Sequence, residues 1–384
     1  VENRYDYLNL NTCRFLWKQV KFPTATDASN TTAQVLKQGE TQGSDVAAHS
    51  AGVLNIKTTI LPDADALFLT AIDRYGHELW RWTFPVNKLN QANEVLSPLS
   101  NKVTSTETEN ELTVKAKNHT FIFSKKDGQL KGVSVNNRKI SFANGPRFIG
   151  ARRADRSLDQ FYNHDDEKAK EKDRTYSEFP DAAVFTKLDV KEDGGNLIVT
   201  ANYKLGNLDK AQWTINPSGE AVLDYTYNFS GVVDLMGICF DYPEDQVISK
   251  RWLGAGPYRV WQNRIHGTQY DVWENDYNDP IPGETFTYPE FKGYFGSVSW
   301  MNIRTKEGTI SLTNETPDAY IGVYQPRDGR DRLLYTLPES GISVLNVIPP
   351  VRNKVNSTDL CGPSSQPKWV NGPQSGRIIF RFME

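Results

Sequence analysis

Cysteine and histidine are scarce in this chain. Only Cys13, Cys239 and Cys361 occur in 384 residues, too few and too scattered for a disulfide framework or a zinc motif, so they read as buried or incidental thiols. The five histidines, His49, His77, His119, His164 and His266, lie far apart and read as surface or packed residues rather than as an acid and base set. No apolar run approaches the roughly 20 residues that a membrane-spanning helix requires, and a soluble chain is expected. No charge of one sign dominates either: 44 basic against 47 acidic side chains leave a formal charge of -3, which gives no electrostatic reason to expect nucleic acid or a membrane surface as a partner. A phosphate loop, a dinucleotide fingerprint, a Gly-x-Ser-x-Gly elbow and a metal motif are all missing, so no cofactor is expected. The opening Val-Glu-Asn-Arg-Tyr-Asp-Tyr has no basic region followed by an apolar stretch and is not a signal peptide. Either the chain is cytoplasmic or further sequence precedes it.

Length and alternation are what the chain does have. At 384 residues, with 38% hydrophobic and 24% charged side chains, it can bury large cores and exceeds the size at which one core usually stops growing, so two domains are expected, with three as the alternative. Leu54, Ile56, Thr58 and Ile60 alternate with polar neighbours, then Leu67, Leu69 and Ala71, then Trp80, Trp82 and Phe84; period two is the signature of half-buried strands. Between them, Pro62 to Asp65 and Asp73 to Gly76 carry turn chemistry, because Asp caps its own backbone and Gly accepts positive φ. The polar stretch Asn87 to Asn93 is the candidate boundary between a small N-terminal sandwich and the remainder of the chain. After about residue 100 the pattern resumes with Leu112/Val114/Ala116, Phe121/Phe123, Leu130/Val133/Val135, Leu197/Val199/Ala201/Tyr203 and Val222/Asp224/Thr226, separated by Lys-Asp-Gly, Asn-Asn and Pro-Ser-Gly turns. Ile310/Leu312, Tyr320/Gly322/Tyr324, Val344/Asn346/Ile348 and Ile378/Phe380/Phe382 add strands without the fixed period of a propeller or solenoid. These segments predict one large antiparallel sandwich, interrupted by the charge-dense His164 to Lys172, which reads as a solvated loop with a short helix as the alternative.

One region crowds aromatics, arginines and carboxylates together: Arg251 to Arg264, with Trp252 and Trp261, and then Val272 to Pro280, with Trp273. It reads as loop. Flat aromatic faces suit sugar C–H groups, and Arg, Asp or Glu suit hydroxyls, so the composition fits a carbohydrate surface; an aromatic-rich interdomain or sandwich-edge loop fits equally. Asp271, Glu274, Asp276, Asp279, Glu284 and Glu290 admit a glycosidase carboxylate pair, against which stands the plainer reading of solvated loop acids.

Four phrases resemble the C-terminal half of the family 2 β-galactosidases, in the right order. Glu2 to Asn11, leading into Phe15-Leu16-Trp17-Lys18, is similar to the "N-x-Y-x-F-x-N-L" and "W-x-L" opening of the immunoglobulin-like domain that comes after the catalytic barrel. Gly128-Gln129-Leu130 leading to Gly145-Pro146-Arg147-Phe148 resembles the start of the small-chain domain; Trp252 to Pro257 resembles "W-x-G-x-G-P", and Tyr288-Pro289-Glu290-Phe291 resembles "P-x-E". The resemblance implies an all-β chain: an immunoglobulin-like β-sandwich over 1–88, a linker over 89–99 and a galactose-mutarotase-like supersandwich over 100–384. It implies that the barrel carrying the catalytic glutamates lies upstream, so that this chain scaffolds it and is inactive alone. It also implies that Trp369, in Pro367-Lys368-Trp369-Val370, lends its ring to the substrate pocket. After Gly256-Pro257 only Arg264 of the family's "x-E-N-Y-P-D-R" is retained, so Trp261 and Arg264 join Trp369 as expected substrate-binding residues. This departure and the Val272 to Gly293 stretch resemble bacterial polysaccharide-degrading members, which points to a β-galactoside or a related β-glycoside as the carbohydrate partner and to the periplasm, with the cytoplasm as the alternative. A homo-oligomer is compatible with the scaffold role. Two other classes compete: a free-standing carbohydrate-binding module using Trp252, Trp261 and Trp273, and an aldose epimerase, for which the histidines are sparse.

Overall fold

The computed structural model describes residues 1–27, 32–87, 102–153, 176–276, 293–323, 338, 340–350 and 362–384. The expected linker 89–99, the stretch His164 to Lys172, the acids Asp279, Glu284 and Glu290 with the Tyr288 to Phe291 phrase, Tyr324 and Cys361 lie outside the described residues. The chain divides into two compact units, Val1–Asn93 with Gln269–Trp273, and Glu94–Thr268 with Glu274–Glu384. Among the described residues no helix is long and apolar enough to cross a membrane.

In the smaller unit four strands form one antiparallel sheet, β1 (Arg14–Lys21), β2 (Gln34–Gln42), β3 (Ala66–Ile72) and β4 (Glu78–Pro85), in the order β2-β1-β3-β4. The β3–β4 turn uses the chemistry its residues announce: the Asp73 carboxylate accepts from the backbone N–H of Tyr75 and of His77, each at 2.8 Å, and Gly76 supplies a φ of 93°. Phe15, Trp17, Leu69 and Ala71 pack with Leu10, Cys13 and Val46 into the core. Asn3, buried at the opening of the chain, donates to the carbonyls of Leu8 (2.8 Å) and Val46 (2.9 Å) and accepts from the N–H of Tyr5 (3.0 Å). This is the physical reason an asparagine stands there. The segment Leu54 to Ile60, expected as a strand, does not form one. Its alternation is real, with Leu54 and Ile56 packed on the core, but its polar backbone is met by side chains. Gln19, fully buried, donates to the Thr59 carbonyl (2.8 Å) and accepts from the Leu61 N–H (2.7 Å). Period two reports which face is buried; a backbone ladder is a separate condition. Asp271 pairs with Arg81 at 2.8 Å; burial nonetheless raises its carboxyl, outweighing the Val272 N–H and the Arg81 charge.

The larger unit contains two sheets. One holds β5 (Thr104–Glu107), β6 (Glu111–Ala116), β7 (His119–Ser124), β8 (Leu130–Val135), β9 (Arg138–Ile140), β10 (Ala143–Arg153), β11 (Tyr176–Glu178), β16 (Leu235–Asp241), β21 (Tyr320–Gly322) and β22 (Ile342–Val347). Its main path runs β21-β22-β16-β10-β8-β7-β6-β5. The other holds β12 (Val184–Asp193), β13 (Asn196–Lys204), β14 (Leu208–Ile215), β15 (Ala221–Val233), β17 (Val247–Gly256), β18 (Gln269–Asp276, of which Gln269–Trp273 counts with the smaller unit), β19 (Trp300–Thr305), β20 (Gly308–Asn314) and β23 (Lys368–Met383), in the order β12-β13-β14-β15-β23-β20-β19-β17-β18. The Asn136-Asn137 pair turns β8 into β9 with both residues at positive φ, 47° and 65°, the twist a two-residue hairpin needs.

The sheets meet through aromatic rings. Phe380 on β23 lies 5.1 Å from Phe142, 5.5 Å from Phe240 and 5.9 Å from Trp213, ring centroid to centroid, and Phe142 stacks on Phe240 at 4.6 Å. His119 belongs to this core: it is buried, stacked beside Phe121, and its Nε2 lies 2.8 Å from the Phe382 carbonyl oxygen. Two expectations are corrected. On β15 the inward face is Ala221, Leu223, Tyr225 and Tyr227, not Val222, Asp224 and Thr226, because the sheet buries the aromatic set. And Arg251 to Gly256, read as loop, is strand β17, with Trp252 fully buried, its Nε1–H donating to the Ala255 carbonyl (3.0 Å) and its ring edge-on to Phe295 at 4.8 Å. An indole with an internal acceptor is core material rather than a surface platform.

The core can be tested at two points. Replacing Phe380 by Ala removes a ring that touches both sheets and lowers stability by about 3–5 kcal/mol, read from denaturant unfolding. Burial pushes the Cys239 thiol from 9.0 up to about 11 and the Tyr225 hydroxyl from 10.0 to about 12, so the unfolded chain loses these protons first. Stability is therefore complete below the unfolded value of 9.0 and falls as pH climbs toward about 11. Melting temperature measured across that window should decline less steeply in Cys239→Ala than in the parent.

Candidate functional site

The residues singled out around Arg251 to Arg264 and around Trp369 are distant in sequence, yet the fold joins them. Cis Gly256-Pro257 ends β17, and the chain then runs back along Val260, whose N–H donates to the Tyr294 carbonyl (2.7 Å) and whose carbonyl accepts from the Tyr294 N–H (2.8 Å). Gly293 is needed beside this bridge, since a Cβ there would collide with the Val260 carbonyl. A tight turn comes next, closed by the Arg264 N–H on the Trp261 carbonyl at 2.8 Å. Two side chains of that turn reach the segment preceding β23: Gln262 Nε2 donates to the Gln366 carbonyl (2.8 Å), and Asn263 Nδ2 donates to Ser365 Oγ (3.0 Å). Gln262 and Asn263 are thus the residues that assemble the site. Nothing in a lone polar pair distinguishes them in sequence.

Three residues beyond Gln366 stands Trp369, 71% exposed. It pairs with Val232 at the outer end of the β15–β23 ladder, where β23 carries no buried residue until Ile378. The outer half of β23 thus lies along β15, whose Tyr225, Tyr227, Phe229 and Val233 are buried, and Ser230 Oγ, bonded to Asn371 Oδ1 at 2.9 Å, braces the pair. The result is a bare indole on a backbone held by a regular ladder. Tyr258, Arg264 and Ile265 are exposed on the turn that Gln262 and Asn263 fasten to the same segment. Such a flat apolar face with a cationic donor on the connected turn can stack on a ring of C–H groups and hydrogen-bond its hydroxyls.

Trp261, expected to join that surface, is a core residue instead. It is 3% exposed and packs with Ile149, Leu235, Val260 and Leu345, edge-on to Tyr294 at 5.7 Å. Its role is to pin the turn that carries Gln262, Asn263 and Arg264. With Trp252 also buried, the surface line of tryptophans that a free-standing binding module would use is not formed. Among the described acids, Asp271 is committed to Arg81 and the backbone carbonyl of Asp276 accepts from Lys250 Nζ at 2.8 Å. His77 and His49 lie against Asp73 and Asp6 at 3.3 and 3.2 Å. Among the described residues no three His, Cys, Asp or Glu side chains converge on a point that could hold a metal ion.

Residues 115–348, more than half of the chain, match the family model of the beta galactosidase small chain. The chain belongs to the beta galactosidase small-chain family. The matched region includes buried Trp261 and exposed Arg264 on its turn and stops short of Trp369. No curated protein matches this small-chain family member. Solved structures similar to it include the galactose 1-epimerase of Lactobacillus acidophilus NCFM, at 10% identity over 74% of this chain and 99% of that one with a TM-score of 0.42. They also include a GalM/aldose epimerase homologue from C. elegans, at 8% identity over 73% and 99% with a TM-score of 0.32, and a putative mutarotase from Salmonella typhimurium, at 8% identity over 74% and 94% with a TM-score of 0.32. At such identity the likeness says nothing of this chain's chemistry.

The two tryptophans should separate in a stability measurement. Trp369→Ala, an exposed truncation, changes unfolding free energy by no more than about 0.5 kcal/mol, whereas Trp261→Ala empties a core position and costs about 3–5 kcal/mol. Urea titrations of the two variants against the parent make the comparison.

Proposed function

We propose that this small-chain family member is the non-catalytic C-terminal portion of a family 2 glycoside hydrolase of the β-galactosidase type. In that reading the smaller unit is the immunoglobulin-like domain, the larger unit scaffolds a catalytic barrel that lies upstream in the same polypeptide, and Trp369 forms one wall of the barrel's substrate pocket with Arg264 on the turn fastened beside it. The observation that carries the reading is the exposed Trp369 indole near the start of β23, in a chain of this family. An exposed tryptophan on a regular ladder has few degrees of freedom to lose on binding, which suits a stacking wall. The substrate class is a β-galactoside or a related β-glycoside, and the periplasm is the proposed compartment. The burial of Trp252 and Trp261 speaks against the free-standing binding module.

The test is hydrolysis of a panel of aryl β-glycosides by this chain alone and by a polypeptide extended upstream. Activity is expected only in the longer protein. There, Trp369→Ala should raise KM more than it lowers kcat, as for a lost ring contact made equally in the ground and transition states. Activity in the short chain, or unchanged kinetics in the variant, would sink the reading.

A further inference from the structure

A cleft of about 560 Å³ opens in the larger unit, and neither Trp369 nor Gln262, Asn263 or Arg264 lines it. Its floor is Arg147 to Gly150 of β10 with Cys239 of β16, from one sheet. Its other wall is Phe179, Phe185 and Tyr203, where β11 leads into β12 and β13 of the opposite sheet, and the turn Lys126 to Gln129 closes one end. The volume is that of a small-molecule site rather than of a packing defect.

The lining supplies both kinds of polar partner on rigid mounts. Arg147 Nη1 is held by the Asn144 carbonyl (2.8 Å) and by Asp241 Oδ1 (2.6 Å), and Nη2 lies 3.6 Å from Cys239 Sγ. A guanidinium has five N–H donors, so Nε and one hydrogen of Nη2 remain without a partner among the described residues. Glu178 stands on β11 in register opposite Ala151 of β10, and its carboxylate likewise has no partner among the described residues. Tyr203 donates to the Asp127 carbonyl at 3.0 Å, tying the end turn to β13, and its ring stands edge-on to Phe185 at 5.9 Å.

The charges decide what fits. Burial works against ionisation of Asp127, but the Lys131 ammonium at 2.7 Å and the donors of Gln129 and Ser124 bring its carboxyl below the usual range. Asp181 is engaged with the backbone N–H groups of Ala183 (3.1 Å) and Asn207 (3.2 Å), and Arg147 is neutralised by Asp241. What is left is Lys126 against Glu178 and Asp181, whose charge its backbone donors do not cancel, so the lining keeps a negative excess and an anion is disfavoured. A donor fork on one wall, a carboxylate acceptor on the other and phenyl rings between them call for groups that donate and accept at once on an apolar frame, which is what a ring of hydroxyls offers.

We infer that this cleft binds a neutral, polyhydroxylated ligand of monosaccharide size, at a site separate from Trp369. The inference goes beyond the hydrolase reading and does not depend on it. Ligand-observed NMR with D-galactose at millimolar concentrations tests it on the whole chain, using the parent, Glu178→Gln, Phe185→Ala and Trp369→Ala, with the fold of each checked by circular dichroism. Saturable binding is expected in the parent and in Trp369→Ala alike, weakened about tenfold or more in Glu178→Gln, where a charged acceptor is lost, and weakened again in Phe185→Ala. Because Glu178 is exposed, Glu178→Gln carries the test if Phe185→Ala fails to fold. Binding that disappears in Trp369→Ala and survives in Glu178→Gln, no saturable signal from the parent, or displacement of the sugar by inorganic phosphate would each overturn it.

Discussion

The contact between Phe142, Phe240, Phe380 and Trp213 is where the two sheets of the larger unit become one body. Neither sheet can bury its inner face alone, and side chains of this size, meeting at tilted and edge-on angles, set both the spacing and the register of the layers. Both the cleft and the exposed Trp369 hang from strands that leave this cluster. β10 and β16 carry Arg147 and Cys239 into the cleft, and β23 carries Trp369 outward once its aromatic half is locked in place.

That arrangement separates packing from presentation along a single strand. From Ile378 onward β23 is core; before it, the strand pairs with β15 and carries Trp369 exposed near its start. Membership of the beta galactosidase small-chain family does not itself separate the two tryptophans; the geometry is what makes Trp369 available and Trp261 not. Both are tryptophans in aromatic, polar neighbourhoods; one packs into a hydrophobic cluster and the other stands exposed on its strand.

The strand grammar was readable where polar and apolar residues alternate strictly, as in Leu112/Val114/Ala116 or Ile378/Phe380/Phe382, and turn chemistry at Asp73 and at Asn136-Asn137 marked the hairpins. It failed in three instructive places. On β15 both faces are rich in residues that sheets tolerate, so period two was plain but its phase was not. Around Leu54 the phase was right and the ladder absent, because a buried glutamine side chain does what a partner strand would. At Trp252 glycines and arginines disguised a strand as loop, and the indole's partner, the carbonyl of Ala255, is a backbone group that no composition reveals. The candidate site was half legible: Trp369 and Arg264 stand at the surface, while Gln262 and Asn263, which connect them, act through single hydrogen bonds to a segment about a hundred residues away.

The position of β23 in the nine-stranded sheet also dictates an order of events. It lies between β15, finished by Val233, and β20, finished by Asn314, and it pairs with both. As the chain emerges from the ribosome, β12 to β15 and β17 to β20 can form two separate partial sheets, each ending in a row of unpaired backbone donors and acceptors. The strand that seals both edges is synthesised after everything it joins, so the nascent protein has to keep two sticky borders from finding the wrong neighbour until Lys368–Met383 arrives.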